Sequence, residues 1–94
     1  MIWTVRVNSR VAKEIAKLPK DDKDTIADFL KNELPFMVNP KSKGEPLHGS
    51  LKSFWKYRFG DYRIVCEIKK REILIDVLTV GHRKEVYRLM QRNS

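Results

Sequence analysis

The sequence predicts an α+β fold. The expected architecture is a small antiparallel four-stranded sheet, two N-terminal helices packed on one face and a short C-terminal helix, in the order β-α-α-β-β-β-α. Three observations carry this. An alternating apolar run is followed by two stretches with helical apolar spacing. The stretch "FWKYRFGDYRIV" (residues 54–65) has the pattern of a β-hairpin, and "ILIDVLTV" is the most continuous apolar run in the chain. Ninety-four residues with 41% hydrophobic side chains suit one domain, 1–94, with a modest core.

"IWTVRV" (residues 2–7) alternates and is rich in β-formers, so it reads as the first strand. Asn8 or Ser9 can cap a helix whose apolar side is Ala12, Ile15, Ala16 and Leu18, and Pro19 breaks it. Asp21, Asp22 and Asp24 suit the N-terminus of a second helix. Its stripe is Ile26, Phe29, Leu30 and Leu34, and Pro35 marks its end. "VNPKSKGEPLHGS" reads as a loop, with two prolines and two glycines in thirteen residues. The hairpin follows, then "KKR" as a second turn. The apolar run comes next and suits a strand covered on both faces, with Gly81 as its stop. "RKEVYRLMQ" closes the chain as a helix with Val86, Leu89 and Met90 on one side.

In the hairpin, Trp55, Tyr57 and Phe59 alternate with Lys56 and Arg58. With Gly60 and Asp61 as the turn, Phe59 pairs with Tyr62 and Arg58 falls opposite Arg63. The aromatics, together with Tyr62, Ile64, Cys66 and Ile68, then face the N-terminal helices, and Lys56, Arg58 and Arg63 share the other face. Like charges directly opposite one another destabilise a sheet. Their presence points to an anion that sits between them.

The charge distribution supports that reading. Residues 1–40 carry seven basic and six acidic side chains and residues 72–94 carry four and three, whereas residues 41–71 carry nine and three. The net charge of +8 is therefore concentrated around the hairpin, which favours a polyanionic partner. The single Cys66 excludes an internal disulfide and reads as a core thiol. No stretch approaches the roughly 20 apolar residues of a membrane span, so a cytoplasmic protein without membrane contact is expected. His48 and His82 are isolated. No His/Cys cluster, Gly-rich phosphate loop or nucleophile–base set stands out, and neither cofactor nor metal is expected. Chemistry then falls to the cations, a tyrosine and a histidine. That set suits metal-free cleavage of RNA, where the substrate supplies its own 2′-OH and the protein stabilises charge on the phosphorane.

"LHGSLKSFWKYRFGDYRIVCEI", an apolar strand and "VGHRKEVYRLM" together resemble the RelE toxins of bacterial toxin–antitoxin pairs, within the RelE/ParE superfamily. The resemblance runs over nearly the whole chain and is most specific from Leu47 to Leu89. It implies a ribosome-dependent endoribonuclease that cuts mRNA in the A site. It also implies a cognate RelB-like antitoxin that wraps the toxin, with a heterotetramer binding operator DNA through the antitoxin. The family's two sheet lysines fall on Lys56 and Arg58, its hairpin arginine on Arg63, its arginine after the last strand on Arg83, and its C-terminal tyrosine on Tyr87. Lys52, Lys56, Arg58, Arg63 and Tyr87 are the expected substrate contacts. Arg58 stands where the family has a lysine that is a candidate general base. A guanidinium is a poor base, so Lys56 or His82 would take that role. Two alternatives share the pattern: a ParE-type gyrase poison, against which the set Lys56, Arg63, Arg83 and Tyr87 argues, and a basic ribosome-binding module.

Overall fold

The computed structural model describes residues 2–49 and 53–92, excepting the side chains of residues 87 and 89–92. Strand β1 (Thr4–Val7) leads into helix α1 (Ser9–Ala16) and helix α2 (Lys20–Asp28). After a short strand β2 (Glu45–Pro46) come β3 (Trp55–Phe59), β4 (Tyr62–Lys69), β5 (Leu74–His82) and helix α3 (Arg83–Arg92). Asn8 caps α1, its side-chain oxygen accepting from Val11 N at 2.9 Å. Beyond α2 the chain winds through a wider helical turn at Phe29–Glu33 and a tight one at Leu34–Phe36, where Pro35 ends it.

The sheet order is β1-β5-β4-β3-β2. Three details differ from expectation. There are five strands among the described residues, because Glu45 and Pro46 pair with Lys56 and Trp55 inside what reads as a loop. The sheet is also mixed, since β1 lies parallel to β5 with Val7 opposite Val77. Two helices separate β1 from the next strand, so no hairpin dictates its partner, and it takes the open edge of β5. Gly81 does not stop β5 either. It pairs with Arg63, and the strand runs on to His82.

The alternation read from the hairpin is observed. Tyr57, Ile64 and Cys66 join Trp3, Val11, Ile26, Phe29, Leu30, Leu34, Ile75, Val77 and Val80 in one core between the sheet and the N-terminal helices. Phe29 packs its ring against Tyr57 and Phe59, each at 5.0 Å between centroids. Cys66 is fully buried, and that burial pushes its thiol well above the usual range. On the opposite face a smaller cluster joins Leu47, Val65 and Val86, so α3 packs over the side of the sheet that carries the cations. No helix among the described residues is long and apolar enough to cross a membrane.

Candidate functional site

The hairpin turn forms at Gly60–Asp61, with Gly60 in the left-handed region at φ 60°. Arg58 and Arg63 are Cα partners, as are Phe59 and Tyr62. Cβ atoms so opposed lie about 5 Å apart, and the two guanidiniums separate. Arg63 is buried and folds back over the turn, its Nη1 donating to Gly60 O at 2.9 Å and to Tyr62 O at 3.0 Å. Its Nε is buried with no hydrogen-bond partner among the described residues. Arg58 stays 60% exposed and extends the other way, its Nη1 3.9 Å from Glu45 Oε1.

An acidic side chain does stand on this face, but Glu45 lies beside Lys56 and Arg58 and not between Arg58 and Arg63. It is the register partner of Lys56, hence on the same face, and its Oε1 lies 3.5 Å from Lys56 Nζ. The segment before it is fixed from several sides. Trp55 Nε1 donates to Lys43 O at 2.8 Å, Tyr57 Oη donates to Pro40 O at 2.7 Å, and Lys43 Nζ pairs with Glu33 at 2.9 Å. Gly44, at φ 82°, runs so close to β3 that a Cβ would clash with Lys56 O. Lys56 itself is buried beside Val65, the residue opposite it in β4, under the cluster that Val86 of α3 completes. A cavity of about 280 Å³ lined by Lys43, Gly44, Glu45, Tyr57, Arg58 and Phe59 opens next to the carboxylate. Sequence reasoning missed Glu45. The signal was present, because it is the sole acidic residue between positions 41 and 60.

The other half of the site comes from β5. Gly81 faces Arg63 and His82 faces Tyr62. The His82 ring stands edge-on to Tyr62, with centroids 5.9 Å apart and planes at 85°. Its Nδ1 accepts from Lys84 N at 3.4 Å. Arg83 opens α3 with an exposed side chain, and its backbone N–H donates to Asp61 O at 2.8 Å, tying the start of the helix to the hairpin turn. The strand register thus places Arg58, Arg63 and the Gly81–Arg83 corner side by side at one end of the sheet, with Lys56 and Glu45 further along β3. Tyr87 lies on α3, one helical turn after Arg83. Its side chain, like Lys52, lies outside the described residues. Among the described residues no three His, Cys, Asp or Glu side chains gather as metal ligands.

A buried lysine and a buried arginine, an exposed arginine beside a carboxylate, and a second exposed arginine at a strand–helix corner are thus gathered toward one end of the sheet. Known proteins share this framework. Toxin RelE of Mycobacterium tuberculosis (strain ATCC 25618 / H37Rv) is 26% identical over 87 residues, which cover 93% of this chain and 88% of that one. Toxin RelG of the same organism is 28% identical over 88 residues, 94% of this chain and 99% of its own. The structure of the M. tuberculosis toxin–antitoxin complex RelBE2 matches with a TM-score of 0.75 at 26% identity, over 88% of this chain and 100% of that chain. A double mutant of E. coli toxin RelE in the free state matches in fold, with a TM-score of 0.71 at 22% identity over 94% of this chain and 93% of its own. The family model described as the ParE toxin of the type II toxin–antitoxin system parDE matches residues 2–87. With that match spanning nearly its whole length, the chain belongs to the ParE toxin family of type II toxin–antitoxin systems, within the RelE/ParE superfamily.

Proposed function

We propose that this toxin is a ribosome-dependent endoribonuclease that cuts mRNA in the A site. The observation that carries the reading is Glu45 held between Lys56 and Arg58, one strand away from Arg63 and the His82–Arg83 corner. In the reaction the substrate 2′-oxygen bonds to the scissile phosphorus, and the bond from phosphorus to the 5′-oxygen breaks. The 2′-OH gives up its proton and the leaving 5′-oxygen gains one from solvent, so the products are a 2′,3′-cyclic phosphate, which water can open to a 3′-phosphate, and a 5′-OH, and no metal is required. Lys56, Arg58, Arg63 and Arg83 would stabilise charge on the phosphorane, with the unpartnered Arg63 Nε as one donor. Tyr87 and Lys52 are the further substrate contacts, Tyr87 by stacking on a base.

The base is better assigned to Glu45 than to the residues the sequence suggests. Lys56 Nζ faces a carboxylate and serves as a donor, while the His82 ring lies against Tyr62. A half-exposed carboxylate next to two cations can take the 2′-OH proton while they hold the phosphate. The partner we propose is a cognate RelB-like antitoxin, with a heterotetramer binding operator DNA through the antitoxin. Solved relatives from M. tuberculosis and Pyrococcus horikoshii are toxin–antitoxin complexes, and a net charge of +8 suits an acidic cover. Action on ribosomes would place the protein in the cytoplasm.

The test uses purified protein and translating ribosomes, with trace transition metals chelated and free Mg²⁺ kept. A-site cleavage is expected, and one 2′-deoxy substitution at the scissile nucleotide should abolish it while leaving binding nearly intact. Cleavage of the deoxy substrate would overturn the mechanism. The match to a model described as ParE favours a second reading, a gyrase poison. Inhibited supercoiling without any RNA cleavage would establish it instead, and binding to ribosomes with neither activity would leave a binding module.

A further inference from the structure

Strand β1 ends at Val7, opposite Val77, whereas β5 continues to His82. From Leu78 onward one edge of β5 has no strand beside it, and α1 takes its place. Arg10 Nη2 donates to Leu78 O, and Glu14 Oε1 accepts from Val80 N at 3.1 Å. The same carboxylate accepts from Thr79 Oγ1 at 3.1 Å and from Arg10 Nη1 at 3.3 Å. Arg10 and Glu14 stand four residues apart on α1, so one helix face presents both.

This edge is also where β5 carries an extra residue. Val65 faces Thr79 and Cys66 faces Val77, so Leu78 is a bulge. The bulge changes the phase of the strand. Ile75, Val77 and Val80 all reach the main core, whereas an unbroken alternation would bury Thr79 there and turn Val80 away. Every residue after the bulge inherits that phase, including His82 and the first residue of α3, Arg83. The opened backbone groups of the bulge are the ones that Arg10 and Glu14 satisfy. The ion pair alone, with Arg10 60% exposed, would contribute little. Its bonds to the strand give it a role.

We propose that Arg10 and Glu14 are positioning residues that lock the Leu78 bulge and thereby aim the His82–Arg83 corner for cleavage. This rests on the endoribonuclease reading. The test compares free protein carrying Glu14→Ala, Glu14→Gln or Arg10→Met with the parent chain, by kcat, by KM and by cross-strand NMR contacts. Glu14→Ala should lower kcat about 100-fold with KM within about threefold, because misplacing a reacting group costs turnover rather than binding. It should also weaken the Arg63–Gly81 and Tyr62–His82 contacts while leaving Ile68–Ile75 intact. Glu14→Gln keeps an acceptor for Val80 N and should recover most of kcat. Should Glu14→Ala fail to fold, Arg10→Met, which among the strand's groups frees only Leu78 O, is expected to show the same pattern at smaller size. Unchanged kcat with unchanged contacts in these variants would overturn the proposal, as would equal losses in the Gln and Ala variants. A parent protein that cuts no RNA refutes the nuclease reading instead, and the NMR contacts still decide whether the bulge is locked.

Discussion

Glu45 Oε1 lies 3.5 Å from Lys56 Nζ and 3.9 Å from Arg58 Nη1, so one carboxylate serves two cations of the basic face. It offsets part of their repulsion, and it occupies ground that an RNA phosphate would contest. Glu45→Gln removes the charge and keeps the shape. RNA should bind more tightly, because phosphate no longer meets a carboxylate. Turnover should fall about 100-fold or more if Glu45 takes the 2′-OH proton. Tighter binding with unchanged kcat would reduce Glu45 to a counter-ion, which separate measurement of Kd and kcat will decide.

Arg83 has an exposed side chain and holds the hairpin turn through its backbone N–H alone. Arg83→Ala should therefore leave Tm nearly unchanged while cleavage drops about 100-fold or more. Full activity in that variant would remove Arg83 from the site, and a large loss of Tm would make it a structural residue.

Gly44 and Gly60 both sit in the left-handed region, at φ 82° and 60°, yet only Gly44 is crowded. Alanine at position 60 meets nothing within 4 Å and should cost about 1–3 kcal/mol from conformation alone. Alanine at position 44 adds a clash with Lys56 O and with the rings of Trp55 and Tyr57, so β2 must lift from β3. Chemical denaturation should rank Gly44→Ala as clearly the more destabilised, and its RNA cleavage should fall because Glu45 is displaced. Equal stability of the two variants would contradict the close approach.

Arg6 and Asp76 are register partners across the parallel pair, with Nη2 2.9 Å from Oδ2. The hydrogen bond from Arg6 holds the Asp76 carboxyl below its usual range, against an opposing effect of burial. A depressed carboxyl contributes stability above its unfolded pKa and loses it as pH falls through the folded value. The stability difference between the parent chain and Asp76→Asn should thus be constant near neutrality and shrink as pH falls below about 4. Arg6 is exposed and Asp76 only partly buried, so a small difference is expected. Urea unfolding at several pH values will show it, and a difference that grows in acid would reverse the sign.

Much of the fold follows from the sequence alone, because the deciding interactions are local. Asn8 caps α1, Pro19 and Pro35 delimit the helical segments, and Gly60–Asp61 sets the register that opposes Arg58 to Arg63. Period-2 alternation then fixes which face meets the core, and it separates Tyr57 from Lys56 without reference to any distant residue. The cations of the candidate site were legible for the same reason.

Tertiary structure decided what depends on residues far apart in the chain. The pairing of β1 with β5 is set by packing of the intervening helices, and no turn encodes it. The Leu78 bulge is invisible in "ILIDVLTV", since an apolar run satisfies either phase until the core on one side and Glu14 on the other choose between them. Glu45 joins Lys56 and Arg58 only because a two-residue strand docks on β3, held by Trp55, Tyr57 and the bare backbone of Gly44. Burial of Lys56 and Arg63 is likewise a product of packing. Alternation places the cations on one face, but only three-dimensional contact determines which of them are enclosed and which remain open.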